Sequence, residues 1–141
     1  MAGLRLELVA FTPDLERLIA TAMLTTTSGA GPSTLFRGLG GKPDRVAEVV
    51  GGLESQHGSV LEHNRLVWLL EASGEEVLEL LLGSHFLQVS KLSGGMWLLS
   101  GNLRSVLELA EHGGGEIVDA LVRSIGEVAP TLCGLIAGGR A

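Results

Sequence analysis

A single cysteine stands among the 141 residues, so neither a disulfide framework nor a cysteine-based metal site can be assembled within the chain. Lys/Arg clusters are also missing, and the formal net charge is −6 with a pI of about 5.1. Without cations to neutralise a row of phosphates, a non-specific binder of nucleic acid or anionic membrane is excluded. A mononucleotide needs only one or two placed cations and stays open. No apolar run reaches the roughly 18 residues that span a bilayer. The opening MAGLRLELVAF contains Glu7 and no cleavage-like site after a long apolar block. No signal peptide is expected from it, and the chain is read as cytoplasmic. The glycine-rich stretch 28–41 matches neither GxGxxG nor GxxxxGK[ST], so dinucleotide-fold and P-loop readings fail.

What is there fits one domain over residues 1–141, of the commonest domain size and with one modest core. Hydrophobic residues make up 45% and the mean hydropathy is +0.37, apolar for a chain this small. Such a balance points to apolar surface buried between subunits, hence a homo-oligomer. Cys133, inside the apolar APTLCGLIAG, reads as a small packing residue rather than a nucleophile.

Residues 3–10 alternate as a half-buried strand, with Leu4, Leu6 and Leu8 on one side. Thr12 offers an N-cap and Pro13 a first helical position, and Leu15, Leu18, Ile19 and Met23 form a helical stripe to about residue 25. Residues 26–42, with five glycines and one proline, read as a loop. Asp44 is expected to cap a helix over 45–55, with Val46, Val49 and Val50 inward. Residues 66–70 form a continuous apolar run, as a buried strand does. Ser73 and Glu76 have capping-box spacing ahead of a short helix driven by Val77, Leu78, Leu80 and Leu81. Residues 85–92 and 96–100 read as strands. Asn102 is expected to cap a helix to about 111, and Glu116 to open a last helix to about 137, with the stripe Ile117, Leu121, Ile125 and Val128. The order β-α-α-β-α-β-(β)-α-α predicts an α/β or α+β architecture, with helices packed on one small sheet.

The chemistry-bearing segment is His57-Gly-Ser-Val-Leu-Glu-His63, which holds two imidazoles, a hydroxyl and a carboxylate in seven residues. Ser59 and Glu62 have capping-box spacing; a helix start there would expose amides able to hold a phosphate, or would simply begin one turn. No metal site is read here. His57 and His63 do not share a helical face, and the HxxEH spacing would need histidine at Ser59. Trp68 and Trp97 read as core or interface residues, Trp97 being also available to stack on a flavin or base. Glu108, Glu111 and His112 read as a solvated helix face.

These segments together resemble the flavin-dependent thymidylate synthases. His57, Ser59, Glu62 and His63, followed by an apolar strand, match that family's histidine motif in register. Asn102-Leu103-Arg104-Ser105 is similar to its Asn-Ala-Arg-Glu/Ser helix start, which faces flavin and dUMP. Ala20-Thr21-Ala22-Met23-Leu24-Thr25 resembles the segment near the flavin phosphates, without its arginine and with Thr25 as the hydroxyl. Ala129-Pro130 resembles an alanine- or cysteine-proline near the C-terminal helix.

The departures are as specific. Gly83-Ser84-His85 stands where the family has Arg-His-Arg, and Ser90-Lys91-Leu92-Ser93-Gly94-Gly95 where it has Asn-Glu-x-Ser-x-Arg. Only Ser93 survives. An arginine is a planar, permanent, bidentate phosphate clamp that neither Ser84 nor His85 replaces. Losing two such contacts costs several kcal/mol of anion binding, at about 1.5–3 kcal/mol for each charged hydrogen bond. Gly94-Gly95 closes the gap left by the family's long helical insert. His85 is a ligand-facing base or a histidine at a solvent boundary; Lys91 holds a phosphate or is a solvated strand lysine.

The resemblance implies a homotetramer with ligand sites between subunits, which binds FAD and dUMP. NADPH and methylenetetrahydrofolate would be co-substrates for the reductive methylation of dUMP to dTMP. It assigns His57, Ser59, Thr25, Ser93 and Asn102 to the flavin, Glu62, Arg104 and Lys91 to the nucleotide, and Arg104 to catalysis. The stripped signature implies the alternative: a non-catalytic relative acting as a flavin- or nucleotide-binding or oligomeric scaffold protein. A third reading is a different flavin or nucleotide reaction with Lys91 and His85 as new groups.

Overall fold

The computed structural model describes residues 5–53 and 55–138, without the side chains of 55–58. The expected starts of the first strand at Gly3 and Leu4, the helical position Glu54 and the imidazole of His57 therefore lie outside the described part. Twelve elements follow in order: β1 (Arg5–Phe11), α1 (Leu15–Thr25), α2 (Pro32–Gly38), α3 (Pro43–Gly51), a 3-10 helix (Ser55–Glu62), β2 (Leu66–Glu71), α4 (Gly74–Gly83), β3 (Gln88–Lys91), β4 (Met96–Gly101), α5 (Leu103–Glu111), α6 (Glu116–Ile125) and α7 (Pro130–Gly138). The four strands pair antiparallel in the order β1-β2-β4-β3. With the helices layered on that sheet, the chain is an α+β protein.

Strand alternation decides which side the core occupies. Leu66, Trp68 and Leu70 of β2 are fully buried, and the register sets Trp68 opposite Leu99 of β4 and Leu8 of β1. Onto this face pack Leu15 and Ile19 of α1, Val46 and Val50 of α3, Val106 of α5, and Leu121 and Ile125 of α6. The buried indole of Trp68 has one polar atom to satisfy; its Nε1 donates to the Ser124 hydroxyl at 2.8 Å, which ties the central strand to α6. Cys133 packs partly buried between α6 and α7, its thiol 3.1 Å from the Val122 carbonyl.

Several boundaries differ from expectation, each for an identifiable reason. Thr12 does not cap α1. Its hydroxyl accepts the Arg65 amide at 2.8 Å and its own amide donates to the Arg65 carbonyl, extending the β1–β2 ladder. The N-cap is Asp14, in the left-handed region at φ 51°. α3 starts at Pro43, so its N-cap is Lys42 rather than Asp44.

The expected loop 26–42 contains α2, opened by Pro32 at its first position. α2 buries no residue and is held from outside: the Arg17 guanidinium stacks 3.8 Å over Phe36 while its Nε donates to the Phe36 carbonyl at 2.7 Å. Only 88–91 of the expected strand 85–92 joins the sheet.

The expected single helix 116–137 is two helices. Pro130 has no amide to donate and disfavours helical backbone at Ala129, so the chain turns through Gly126–Ala129 on short-range bonds from the Gly126, Glu127 and Val128 amides. The new helix start is closed from far away. The Glu16 carboxylate of α1 accepts the Thr131 amide at 2.7 Å and the Leu132 amide at 3.2 Å. No helix among the described residues is long and apolar enough to cross a membrane.

Two substitutions test these ties. Glu16→Ala should lower unfolding stability by about 1–2 kcal/mol, the usual cost of a lost N-cap. Ser124→Ala, which leaves the buried Trp68 N–H unpaired, should cost about 1–3 kcal/mol. Urea titration followed by circular dichroism reads both, and unchanged midpoints would contradict the assignment.

Candidate functional site

The two most specific motif fragments meet in space. The 3-10 helix packs its buried Val60 and Leu61 inward and leads through His63 and Asn64 into β2, while β4 leads through Asn102 into α5. The two segments lie side by side because Leu66 and Gly101 are register partners. α5 approaches β4 so closely that a Cβ on Gly101 would stand 3.2 Å from the Ser105 Oγ and 3.2 Å from Leu87 Cδ1. Across this seam Glu62 Oε1 and Arg104 Nη1 form an ion pair at 3.1 Å, with side chains 40% and 41% exposed.

Ser59–Glu62 does not act as a capping box at the start of an α-helix. It lies inside the 3-10 helix, and the Glu62 carboxylate reaches Arg104.

The N-terminus of α5 is closed by side chains. Asn102 Oδ1 accepts the Ser105 amide at 2.9 Å, and the Ser105 hydroxyl accepts the Asn102 amide at 3.3 Å, a reciprocal cap. Asn64 Oδ1 accepts the Leu103 amide at 3.0 Å while its Nδ2 donates to the Leu61 carbonyl at 2.7 Å. Asn64 thus joins the 3-10 helix to α5. No local pattern marks it, since its partner is in another element. Amides that could hold a phosphate at a helix start are here already satisfied at Leu103 and Ser105.

The remaining candidates are elsewhere. Thr25, at the end of α1, donates its hydroxyl to the Thr21 carbonyl at 2.7 Å. Ser93 is exposed in the turn of the β3–β4 hairpin, where Gly94 and Gly95 take φ of 59° and 79° and the Ser93 carbonyl accepts the Met96 amide. Two positive φ values in succession suit a tight hairpin turn, so this pair of glycines is the tip of a ribbon. Lys91 is exposed, its Nζ 5.7 Å over the Trp97 ring that faces it across the ladder. The length of β4 separates these two residues from Asn102 and Arg104, about 20 Å at roughly 3.3 Å per residue. Ser59 is exposed near the seam, and of His57 only the backbone, within the 3-10 helix, is described.

Trp97 is half-buried and donates to the Ala72 carbonyl at 2.9 Å. His85 is 89% exposed on its side chain. It is held by Glu108, whose carboxylate accepts the His85 amide at 3.0 Å and lies 3.3 Å from Nδ1. Glu108 is therefore a loop clamp and not a member of a solvated face.

Two clefts are formed away from the seam. One of about 340 Å³ lies between the starts of α1, α3 and α7, where Arg17 and Lys42 face Asp14 and Glu16. The other, of about 250 Å³, lies between α4 and the α5–α6 turn, beside Glu79, His112 and Glu116. Neither contains Glu62, Arg104, Lys91 or Ser93. Among the described residues no group of three or more His, Cys, Asp or Glu side chains is placed to hold a metal ion.

The chemistry of the seam follows from this inventory. Arg104 is the cation able to turn toward an anion, at the expense of a half-exposed ion pair worth no more than about 1 kcal/mol. A flavin needs more: a slot for its ring system and free donors for its phosphates. The Leu103 and Ser105 amides and the Thr25 hydroxyl are taken, so the described residues of one chain do not fit that group.

Asn102→Ala should cost about 1 kcal/mol of stability through loss of the α5 cap. A double-mutant cycle on Glu62→Ala and Arg104→Ala should return a coupling below about 1 kcal/mol; a larger coupling in urea titrations would mean the pair is a structural clamp. No protein-family model matches the chain, and no curated protein matches it significantly.

Proposed function

We propose that the chain is a non-catalytic relative of the flavin-dependent thymidylate synthases that acts as an oligomeric scaffold protein in the cytoplasm. The observation that carries this reading is the internal engagement of the groups that would hold the ligands. Asn64 and Asn102 fill the start of α5, and the Thr21 carbonyl holds the Thr25 hydroxyl. Within one chain, Lys91 and Ser93 stand at the opposite end of β4 and cannot complete a phosphate clamp around Arg104. The loss of both signature arginines supports the same conclusion, since no other residue of those segments offers a permanent planar charge.

A second reading, FAD-dependent reductive methylation of dUMP in a homotetramer, has one observation in its favour. Glu62 and Arg104, from separate motifs of the resemblance, lie in contact. In that case Arg104 would leave Glu62 and hold the nucleotide, with Asn102 fixing the start of α5.

Purified protein mixed with FAD should show no protein-bound flavin absorbance after gel filtration, and dUMP should leave its melting temperature unchanged. The gene should fail to support growth of a thymidine-requiring strain. Bound flavin or a dUMP-dependent rise in melting temperature, either one abolished by Arg104→Ala, would replace this reading with the second.

A further inference from the structure

The sheet has a second face. Alternation that sends Leu66, Trp68 and Leu70 into the core sends Val67, Leu69 and Glu71 the other way. The register continues this face across β4, with Leu69 opposite Leu98 and Glu71 opposite Met96. Val67, Leu69, Leu98 and Met96 are partly shielded by their strand neighbours, and none belongs to the core that the helices cover. Around this apolar centre lies a polar rim. At one end Arg65 reaches Gln88; at the other, Arg5 pairs with Glu71 at 3.3 Å beside Glu7. An apolar centre within a polar rim is the anatomy of a protein interface.

We propose that this open face is the contact between two copies of the chain, stacked sheet against sheet with their β2 strands antiparallel. Charge selects the occupant and its direction. The outward row runs from Arg65, one residue before β2, to Glu71 at the strand's end, with Val67 and Leu69 between them. An antiparallel two-fold arrangement sets Arg65 of each copy against Glu71 of the other, and does so twice. A parallel arrangement would set Arg65 against Arg65, and would set the end holding Arg5, Glu7 and Glu71, net negative, against itself. Four strands about 4.8 Å apart and four to seven residues long at roughly 3.4 Å make a face of about 20 by 20 Å, the small end of specific interfaces.

Two rival surfaces are less suited to a second copy. α4 exposes Leu78 and Leu82, at 56% and 79%, but Glu75 and Glu79 flank them, so a symmetric contact there would gather carboxylates. The free edge of β1 is interrupted by the register shift between Leu8 and Ala10, which breaks the ladder that edge pairing requires. The inference deepens the oligomeric part of the first reading above and rests on it, while leaving ligand binding aside.

The test is the solution mass of the full chain by sedimentation equilibrium. Wild type should sediment at twice the 14.7 kDa chain mass, and Leu69→Lys should weaken the dimer at least ten-fold with its circular dichroism unchanged. Arg65→Glu should also weaken it, and Arg65→Glu with Glu71→Arg should restore it, a rescue that impaired folding cannot produce. Leu82→Lys should leave the mass as it is. A wild-type dimer indifferent to Leu69→Lys and Arg65→Glu, or broken by Leu82→Lys, would overturn the surface while keeping the oligomer. A monomeric wild type at high protein concentration would overturn both.

Discussion

Neighbouring residues of a β-strand must face opposite sides of the sheet, and in this chain that constraint separates a core from an unfilled surface. β2 carries Leu-Val-Trp-Leu-Leu-Glu, apolar at five successive positions, yet only Leu66, Trp68 and Leu70 reach the helices. The helical layer is built to that inner row. α6 meets Trp68 with Ser124, α1 and α3 supply branched side chains, and α5 is drawn down onto β4 where Gly101 has no side chain. With every helix of the core committed to one side, Val67, Leu69 and Leu98 have no helix of that core above them. The excess hydropathy of the whole chain is in part this second row.

Helix starts follow the same economy of partners. Four N–H groups at each start need acceptors, and where side chains supply them they do so in two ways. Ser73 with Glu76 and Asn102 with Ser105 are reciprocal caps made by near neighbours. Glu16 on α7 and Asn64 on α5 are acceptors brought from remote elements, and each also fixes how two elements sit. Asn64 ties the 3-10 helix to α5 at the seam for this reason. Its polar atoms hold the fold together, and what is left to face a ligand is chiefly the Arg104 guanidinium in its exposed pair with Glu62.

This division explains what could be read from the sequence. The near-neighbour caps at Ser73 and Asn102 were legible, because both partners lie within four residues, and so was the burial of Trp68. The remote ones were not. Glu16 looks like an ordinary exposed helix residue until Pro130 breaks the last helix and leaves amides for it to accept. Thr12 has the right chemistry to cap α1 and is taken by β-pairing with Arg65 instead. α2 is hidden by its glycines, since its anchor is a guanidinium stacked from α1 rather than an apolar stripe of its own. At the site, Glu62 and Arg104 were each expected to matter, but their contact with one another is a product of β2–β4 register.

The position of Lys91 shows how little a suggestive residue type decides without its geometry. As a cation in the strand that the resemblance aligns with the family's signature, it is the natural candidate to stand in for an arginine. The hairpin makes that substitution unworkable within one chain. Gly94 and Gly95 turn the strand back on itself, so Lys91 lies at the tip over Trp97 while Arg104 lies beyond the far end of β4. A single ammonium is also a point charge and not a planar fork, so even a neighbouring copy that brought it to Arg104 would supply one contact where an arginine supplies a bidentate pair. A phosphate held by both Arg104 and Lys91 would therefore have to be gripped by two copies, with contacts weaker than a bidentate arginine gives.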